Sequence, residues 1–415
     1  MAKIDKIEVR HGVFVGHWPP GRTVGEYAQV LAEAGHLDDS PRQPNNLIYH
    51  VNGRERVETF RPDRGMVVDI KWKRGVVTPC TVEAITKDKV LGMILGIAIG
   101  DALGMPVETW NEDRIKAAHP DGVRDYVSAE GHKWFDGRKP GTWTDDTQLT
   151  MAVCEAIMKN DCFDMDEVAR NHVEAFKNPA GWGSTTKEAI QRIRDGVHWT
   201  NSASESSPQK VRGMGNGVPM KISPLGAFHA ARRVGWKKAC AECAMFAQMT
   251  HDTTMGVASG MCQAYAIGYC LSCTPELFSP DAFAETMIKM AKTAEVLKPL
   301  RFEEDNLAVR MKELKQYNDY DRSKIIQAFG GGSCYVYNSL PFSFMFFLKG
   351  PSDIETLFQV TNAGGDTDTN ASMVGGLMGA LNGASIFPEN LVDKLDQKEV
   401  LCDMAERFSG TLGIQ

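Results

Sequence analysis

"NAGGDTDTNASMVGGLMGALNG" runs from Asn362 to Gly383. Its first part sets two carboxylates, Asp366 and Asp368, one residue apart among glycines and threonines. Its second part is apolar, rich in glycine and spaced like a helix that faces a core. Two like charges this close repel each other. A single acidic pair at a helix start is ordinarily a cap placed favourably on the helix dipole, so this stretch alone leaves its purpose open.

A second stretch far upstream repeats the arrangement. "GTWTDDTQLTMAV", Gly141 to Val153, leads from a glycine-threonine turn into Asp145 and Asp146 and then into an apolar helix, with Thr144 as the expected N-cap. If the two turns meet, four carboxylates converge, and four negative charges share a partly buried site only with cations. The ligands on offer are hard oxygens with no His or Cys among them. That chemistry selects Mg²⁺, Mn²⁺ or Ca²⁺ over Zn²⁺ or Cu²⁺, and four carboxylates with two hydroxyls suit two ions.

The remainder of the chain reads as helical from about Thr81 onward. Helices are expected at Thr147–Lys159, Met165–Phe176, Gly226–Met249, Gly256–Leu271, Pro280–Leu297 and Ser372–Leu381, separated by glycine and proline clusters. No period of 20 to 50 residues repeats, which excludes a solenoid. Gly92, Gly96, Gly100 and Gly104 recur every fourth residue and line one helix face, a packing feature. "TNSASESSPQK", Thr200 to Lys210, is polar and aperiodic and reads as a mobile loop.

Residues 1–80 differ and read as a small α+β module. "GVFVGHW" has strand character, Thr23 to Glu26 has capping-box spacing for a helix to about Ala34, and Asn52-Gly53 between "LIYHV" and "RERVETF" signals a hairpin. "MVVDIKW" alternates as a strand with one buried face. Residues 1–75 carry 12 Lys and Arg against 10 Asp and Glu, a net of +2, leaving −9 for the rest. The expectation is a packing or docking module, with a docking partner as one role for it.

The net charge of −7 over 415 residues argues against a general nucleic-acid or anionic-membrane surface. The uncharged apolar run Val90–Gly100 is too short to span a bilayer, which takes roughly 20 residues, and reads as a buried core helix. Residues 1–10 lack the apolar segment of a signal peptide. With ten cysteines, this points to reduced thiols in a cytoplasmic protein. The Cys240/Cys243 and Cys270/Cys273 pairs have zinc-like spacing, but they sit in apolar helical stretches without knuckle turns and read as core residues.

Five segments in order, "GIAIGDALGMPVE", "TWTDDTQLTMAV", "GMGNGVPMKISPLG", "THDTT" and "GGDTDTNASMVGGLMGALNG", resemble the ADP-ribosylglycohydrolase family, which includes the dinitrogenase-reductase-activating glycohydrolase and the ADP-ribosylarginine hydrolases. The similarity covers roughly Val90 to the C-terminus. It implies a mainly all-α, orthogonal multi-helix domain over residues 81–415, around two Mg²⁺ or Mn²⁺ ions. It implies cleavage of the glycosidic bond joining ADP-ribose to a target, first of all arginine on an ADP-ribosylated protein. Thr144, Asp145, Asp146, Asp366, Asp368 and Thr369 match the metal ligands. Glu108 matches a catalytic carboxylate beside Asp145, Asp146 and Asp368. His251 and the loop Gly213, Gly215, Asn216 and Gly217 match the substrate site. Gly332, Ser333, Tyr335 and Gly365 are further candidates for substrate contact.

The loop's glycines could also form an anion nest for a pyrophosphate. Alternatives are an O-linked (serine), nucleic-acid-linked or small-molecule ADP-ribose as substrate, or a protein that binds ADP-ribose without cleaving it. Lys221 stands where many relatives have arginine, and Gly213 and Met214 where some have Ser or Tyr. These departures bear on substrate preference rather than on the metal centre.

Overall fold

The computed structural model describes residues 85–203, 213–298 and 306–414, with the backbone of five short strands nearer the N-terminus. The chain divides into two compact units, Met1–Pro79 and Cys80–Gln415.

In the first unit, β1 (Ile7–His11), β2 (Phe14–Trp18), β3 (Leu47–Val51), β4 (Arg54–Arg56) and β5 (Val67–Trp72) form one sheet in the order β2-β1-β5-β3-β4. β1 and β5 run parallel and the other neighbours antiparallel. β3 and β4 pair antiparallel with Val51 opposite Arg54, on either side of the expected Asn52-Gly53 turn, which itself lies outside the described residues. The helix expected from Thr23 to about Ala34 lies outside the described residues.

The second unit is helical. The helices that matter for the site are α1 (Lys87–Gly104), α2 (Asp145–Asn160), α3 (Ser223–Ala231), α4 (Trp236–Gln248), α5 (Thr254–Leu271), α6 (Val336–Lys349), α7 (Thr367–Asn382) and α8 (Lys398–Leu412). Thr86 starts α1 by accepting the Lys89 amide at its hydroxyl. With the short turn after it, α1 is apolar and long enough to cross a membrane, yet it is almost wholly buried inside the protein.

The partner of α1 is α7, running antiparallel in backbone contact. A Cβ placed on Gly96 would lie 2.1 Å from the Gly375 carbonyl oxygen, and one on Gly375 2.1 Å from that of Gly96. The same contact repeats between Gly100 and Ala371 and between Gly92 and Gly379. So the four-residue glycine spacing is more than close packing. It aligns the C-terminal end of α1 with the N-terminal end of α7, where the Thr367 hydroxyl donates to the Gly104 carbonyl at 2.7 Å. Helices α5, α6 and α8 pack around this central pair.

Two expectations need correction. Gly226–Met249 is two helices, α3 and α4. Arg233 adopts a left-handed conformation (φ 51°) and ends the first, and the chain restarts at Gly235. Apolar periodicity continues through such a turn, so it does not mark the break. The expected loop from Thr200 begins as a helical turn, Trp199–Ser202, anchored by the Ser202 hydroxyl on the Met249 carbonyl at 2.6 Å. Residues 204–210 lie outside the described set.

Candidate active site

The two acidic turns meet. Asp366 is the N-cap of α7, with Asp368 and Thr369 in its first turn, while Asp145 and Asp146 open α2. The Thr369 hydroxyl donates to Asp146 Oδ2 at 3.3 Å. Oxygens of Glu108, Asp366 and Asp368 lie within 4.8 Å of one another. Thr144, Asp145, Asp146, Asp366, Asp368 and Thr369 are all buried. One oxygen of Asp146, Oδ1, is buried without a hydrogen-bond partner.

Burial first, and then repulsion from Asp366, Asp145 and Asp101, pushes the Glu108 carboxyl up to about 8. Burial and the charge of Asp101 push Asp145 up to about 7. Asp146 and Asp368 are raised well above the usual range, by burial first and then by neighbouring carboxylates, Asp101 and Asp145 for Asp146 and Glu108 and Asp366 for Asp368. The cluster therefore resists carrying its full negative charge unaided.

Asp101 was not foreseen as part of this site. It is fully buried on α1 and caps α2 in place of the Thr144 side chain, accepting the Thr144 amide (2.8 Å) and hydroxyl (2.8 Å) and the Thr147 amide (3.0 Å) and hydroxyl (2.6 Å). The Thr144 hydroxyl proton is thereby spent on Asp101, while its oxygen keeps lone pairs for a ligand. The available signal was a carboxylate among the glycines of a helix otherwise read as core.

Glu108 follows the 3₁₀ turn Met105–Val107 that continues α1. The next residue, Thr109, has φ 66°, a sparsely populated conformation for a side chain of its kind. It is held by paired backbone bonds, Thr109 N–H to the Gly365 carbonyl (2.7 Å) and Gly365 N–H to the Trp110 carbonyl (2.8 Å). Glu108 is thus clamped to the segment that leads into Asp366.

The glycine-rich segments are knitted to the cluster. Asn216 Nδ2 donates to Asp366 Oδ2 at 2.7 Å. Its backbone N–H goes to the Cys334 carbonyl, and the Val336 N–H goes to the Met214 carbonyl. The Asn216 amide is therefore committed within the fold and does not belong to a free anion nest. The Asp366 N–H donates to the Gly332 carbonyl. Gly365, expected to make room for substrate, has φ 82°, and a Cβ there would lie 2.0 Å from the Gly331 carbonyl oxygen. The chain's own backbone takes that space. Ser333 is exposed and Gly332 buried.

His251 is buried beneath this loop. A Cβ on Gly217 would meet its ring at 2.7 Å, and one on Gly213 its backbone at 3.1 Å, whereas Gly215 is less crowded. Burial, with the charge of Lys221, holds the His251 ring down to about 3, so it is neutral. Lys221 is fully buried with its ammonium 6.0 Å from the Phe246 ring centroid and no hydrogen-bond partner. Burial lowers it to about 7, against the pull of Asp145 and Asp146.

Away from the cluster, Cys240, Cys243, Cys270 and Cys273 are buried, and burial raises the thiols of the first three. A surface cavity of about 310 Å³ is lined by Glu112, His119, Arg124, Arg322, Glu355 and Phe358 among others and does not include the acidic cluster. In its wall Arg124 pairs with Glu355 and Arg322 with Glu112.

Residues 83–413 match the family model described as ADP-ribosylglycohydrolase. The ADP-ribosyl-[dinitrogen reductase] glycohydrolase of Rhodospirillum rubrum is 25% identical, over 75% of this chain and 91% of its own. Two proteins named ADP-ribosylarginine hydrolase Tri1 are also similar. The one from Serratia proteamaculans is 24% identical, over 80% of this chain and 81% of its own, and the one from Pseudomonas putida is 23% identical, over 94% of each. The second alignment reaches into the first unit. A solved structure titled "ADP-ribosylglycohydrolase-related protein complex" superposes with a TM-score of 0.57 at 22% identity, covering 78% of this chain and 98% of that one. With its acidic turns converged inside this helical fold, the chain belongs to the ADP-ribosylglycohydrolase family.

Proposed function

We propose that this protein is a metal-dependent hydrolase that cleaves the glycosidic bond between ADP-ribose and a modified target, with ADP-ribosylarginine on protein as the first substrate. The observation that carries the reading is the convergence of Glu108, Asp366 and Asp368 oxygens within 4.8 Å, in a family of ADP-ribosylglycohydrolases. The arginine linkage is supported by the two Tri1 relatives, one of which aligns over 94% of the chain.

The residues present fit divalent cations. The donors are all oxygens, Asp146 Oδ1 is buried without a partner, and the carboxyls are held above their usual range by burial and mutual repulsion. Thr144, Asp145, Asp146, Asp366, Asp368 and Thr369 would hold two Mg²⁺ or Mn²⁺ ions. Bound there, such ions supply Lewis acidity toward sugar hydroxyls and lower the pKa of a water.

The chain's own groups do the rest. Glu108, at the rim of the cluster, takes the proton of the water that attacks the anomeric carbon. Asn216 fixes the orientation of Asp366, and Asp101 fixes the turn that carries Thr144, Asp145 and Asp146. His251, neutral and backed by Thr250 at Nδ1 (2.9 Å), presents its other nitrogen toward Gly215 and Gly217 for a substrate oxygen.

The test is ADP-ribose release from arginine-, serine- and nucleic-acid-linked substrates with Mg²⁺ or Mn²⁺. Release from the arginine adduct that stops on chelation supports the reading. Full turnover after thorough chelation would sink the metal-dependent mechanism, and ADP-ribose binding without turnover on any linkage would leave a binding protein.

A further inference from the structure

The segment from Ala129 to Arg138 contains an arrangement that the acidic cluster does not explain. His132 is buried, stacks on Phe135 (ring centroids 5.0 Å apart, planes 9° apart) and has both ring nitrogens engaged. Nε2 is 3.0 Å from the Glu108 carbonyl oxygen, which can only accept, so Nε2 carries the proton. Nδ1 is then the acceptor for the Trp134 amide at 3.3 Å. One imidazole therefore links the backbone of Glu108 to the backbone of Trp134. On the other side, a Cβ on Gly181 would lie 2.8 Å from Phe135 and 3.7 Å from Asp145 Oδ1. The segment thus touches the surroundings of both Glu108 and Asp145.

What this scaffold holds out is an indole. Trp134 is 53% exposed, whereas Phe135 beside it is buried. Nothing in the packing of a core calls for an exposed tryptophan on a braced turn. The ring already attracts a cation, since the Lys133 ammonium lies 5.0 Å from its centroid. The exposed carboxylates of Glu130 and Asp136 stand on the same turn. Lys133 and Arg138 balance these carboxylates, so the preference comes from the ring itself, whose electron-rich face favours a cation.

We infer that Trp134 is a specificity-determining residue that stacks on the planar guanidinium of the arginine to which ADP-ribose is attached. The inference rests on the hydrolase reading. A guanidinium suits an indole face because it is planar, delocalised and weakly hydrated. The residue contacts the target-derived group while the ADP-ribose moiety is held elsewhere.

The test compares wild type, Trp134→Ala and Trp134→Phe by two measurements, the KM for ADP-ribosylarginine in turnover assays and the Kd for free ADP-ribose by calorimetry. Trp134→Ala should raise the KM roughly two- to fivefold, the size of an exposed cation–π contact. The Kd for ADP-ribose should stay at its wild-type value, and Trp134→Phe should recover part of the loss. A KM indifferent to Trp134→Ala overturns the inference, as does a Kd that weakens by the same factor, which would mean the ring serves ADP-ribose itself. A wild-type protein that binds ADP-ribose and does not cleave ADP-ribosylarginine sinks the arginine-linkage reading on which this inference rests.

Discussion

The Thr369 hydroxyl donates to Asp146 Oδ2 across 3.3 Å, joining two turns whose residues are 223 positions apart in the chain. This bond lies within the acidic cluster, and it ties the start of α2 to the start of α7. Lys221 is a fully buried basic side chain whose charge interacts with Asp145 and Asp146 beside it.

Removal of one carboxylate should therefore disable the site while leaving the fold in place. Asp146→Ala and Asp368→Ala are each expected to lower ADP-ribose release by on the order of a hundredfold or more. Calorimetric titration with Mn²⁺ should show weakened or lost binding in the same variants. Wild-type turnover in either variant would contradict the assignment.

Asp101 should matter through Thr144 and Thr147. It accepts hydrogen bonds from both residues in a fully buried position. Asp101→Asn turns an amide N–H toward those donors, and a loss of roughly 3 kcal/mol in urea denaturation is expected. Because the misplaced turn carries Asp145 and Asp146, affinity for Mn²⁺ should also fall, about tenfold to a hundredfold. A variant with normal stability and normal metal affinity would remove Asp101 from this role.

Glycines of α1 and α7 should tolerate no side chain. Gly96→Ala places a methyl 2.1 Å from the Gly375 carbonyl oxygen and should cost roughly 3 kcal/mol, at the upper end for overpacking. Gly410→Ala, in α8 with nothing within 4 Å, should instead stabilise by about 0.5–1 kcal/mol. Thermal denaturation of the two variants should move in opposite directions.

Stability of the metal-free protein should fall with rising pH. Glu108 is raised to about 8 and Asp145 to about 7 in the folded chain. Unfolded carboxyls titrate near about 4. Between these values the clustered carboxyls, Asp146 and Asp368 among them, bind more protons in the folded chain than in the unfolded one, and they outnumber the lowered His251 and Lys221 that act the other way, so the free energy of unfolding decreases as pH climbs from about 4 to about 8. Chelated protein should melt at a lower temperature at about pH 8 than at about pH 6, and excess Mg²⁺ should abolish or reverse that order. A metal-free melting temperature that rises across this interval would contradict the buried, mutually repelling cluster.

Much of the site was legible because its residues announce themselves locally. Asp145, Asp146, Asp366 and Asp368 are carboxylates at the starts of apolar helices, and a helix start is visible in composition and spacing. Asp101 was hidden because its role depends on a neighbour 43 positions away, with nothing local to distinguish it from a polar residue on a helix face. His132 and Trp134 gave no motif at all, and their relation to Glu108 exists only through folded contacts. The break between α3 and α4 was missed because the apolar period survives the turn at Arg233.

By itself, the sequence determined that residues beyond about 80 form helices, that two acidic turns open two of them, and that a hard, oxygen-rich cation site results if those turns meet. Apolar periodicity, capping residues and charge are local properties, and they survive in a linear text. Only the tertiary structure decided that the turns do meet. Gly92, Gly96 and Gly100 let α1 lie against α7 backbone to backbone, and that contact sets the axial register that brings Glu108 beside Asp366 and Asp368. It also decided that Gly365 packs on the chain's own carbonyls, and that an exposed indole stands on a turn tied through His132 to the Glu108 backbone. Register and proximity come from how side-chain volumes fit between elements far apart in the chain, which no local spacing encodes.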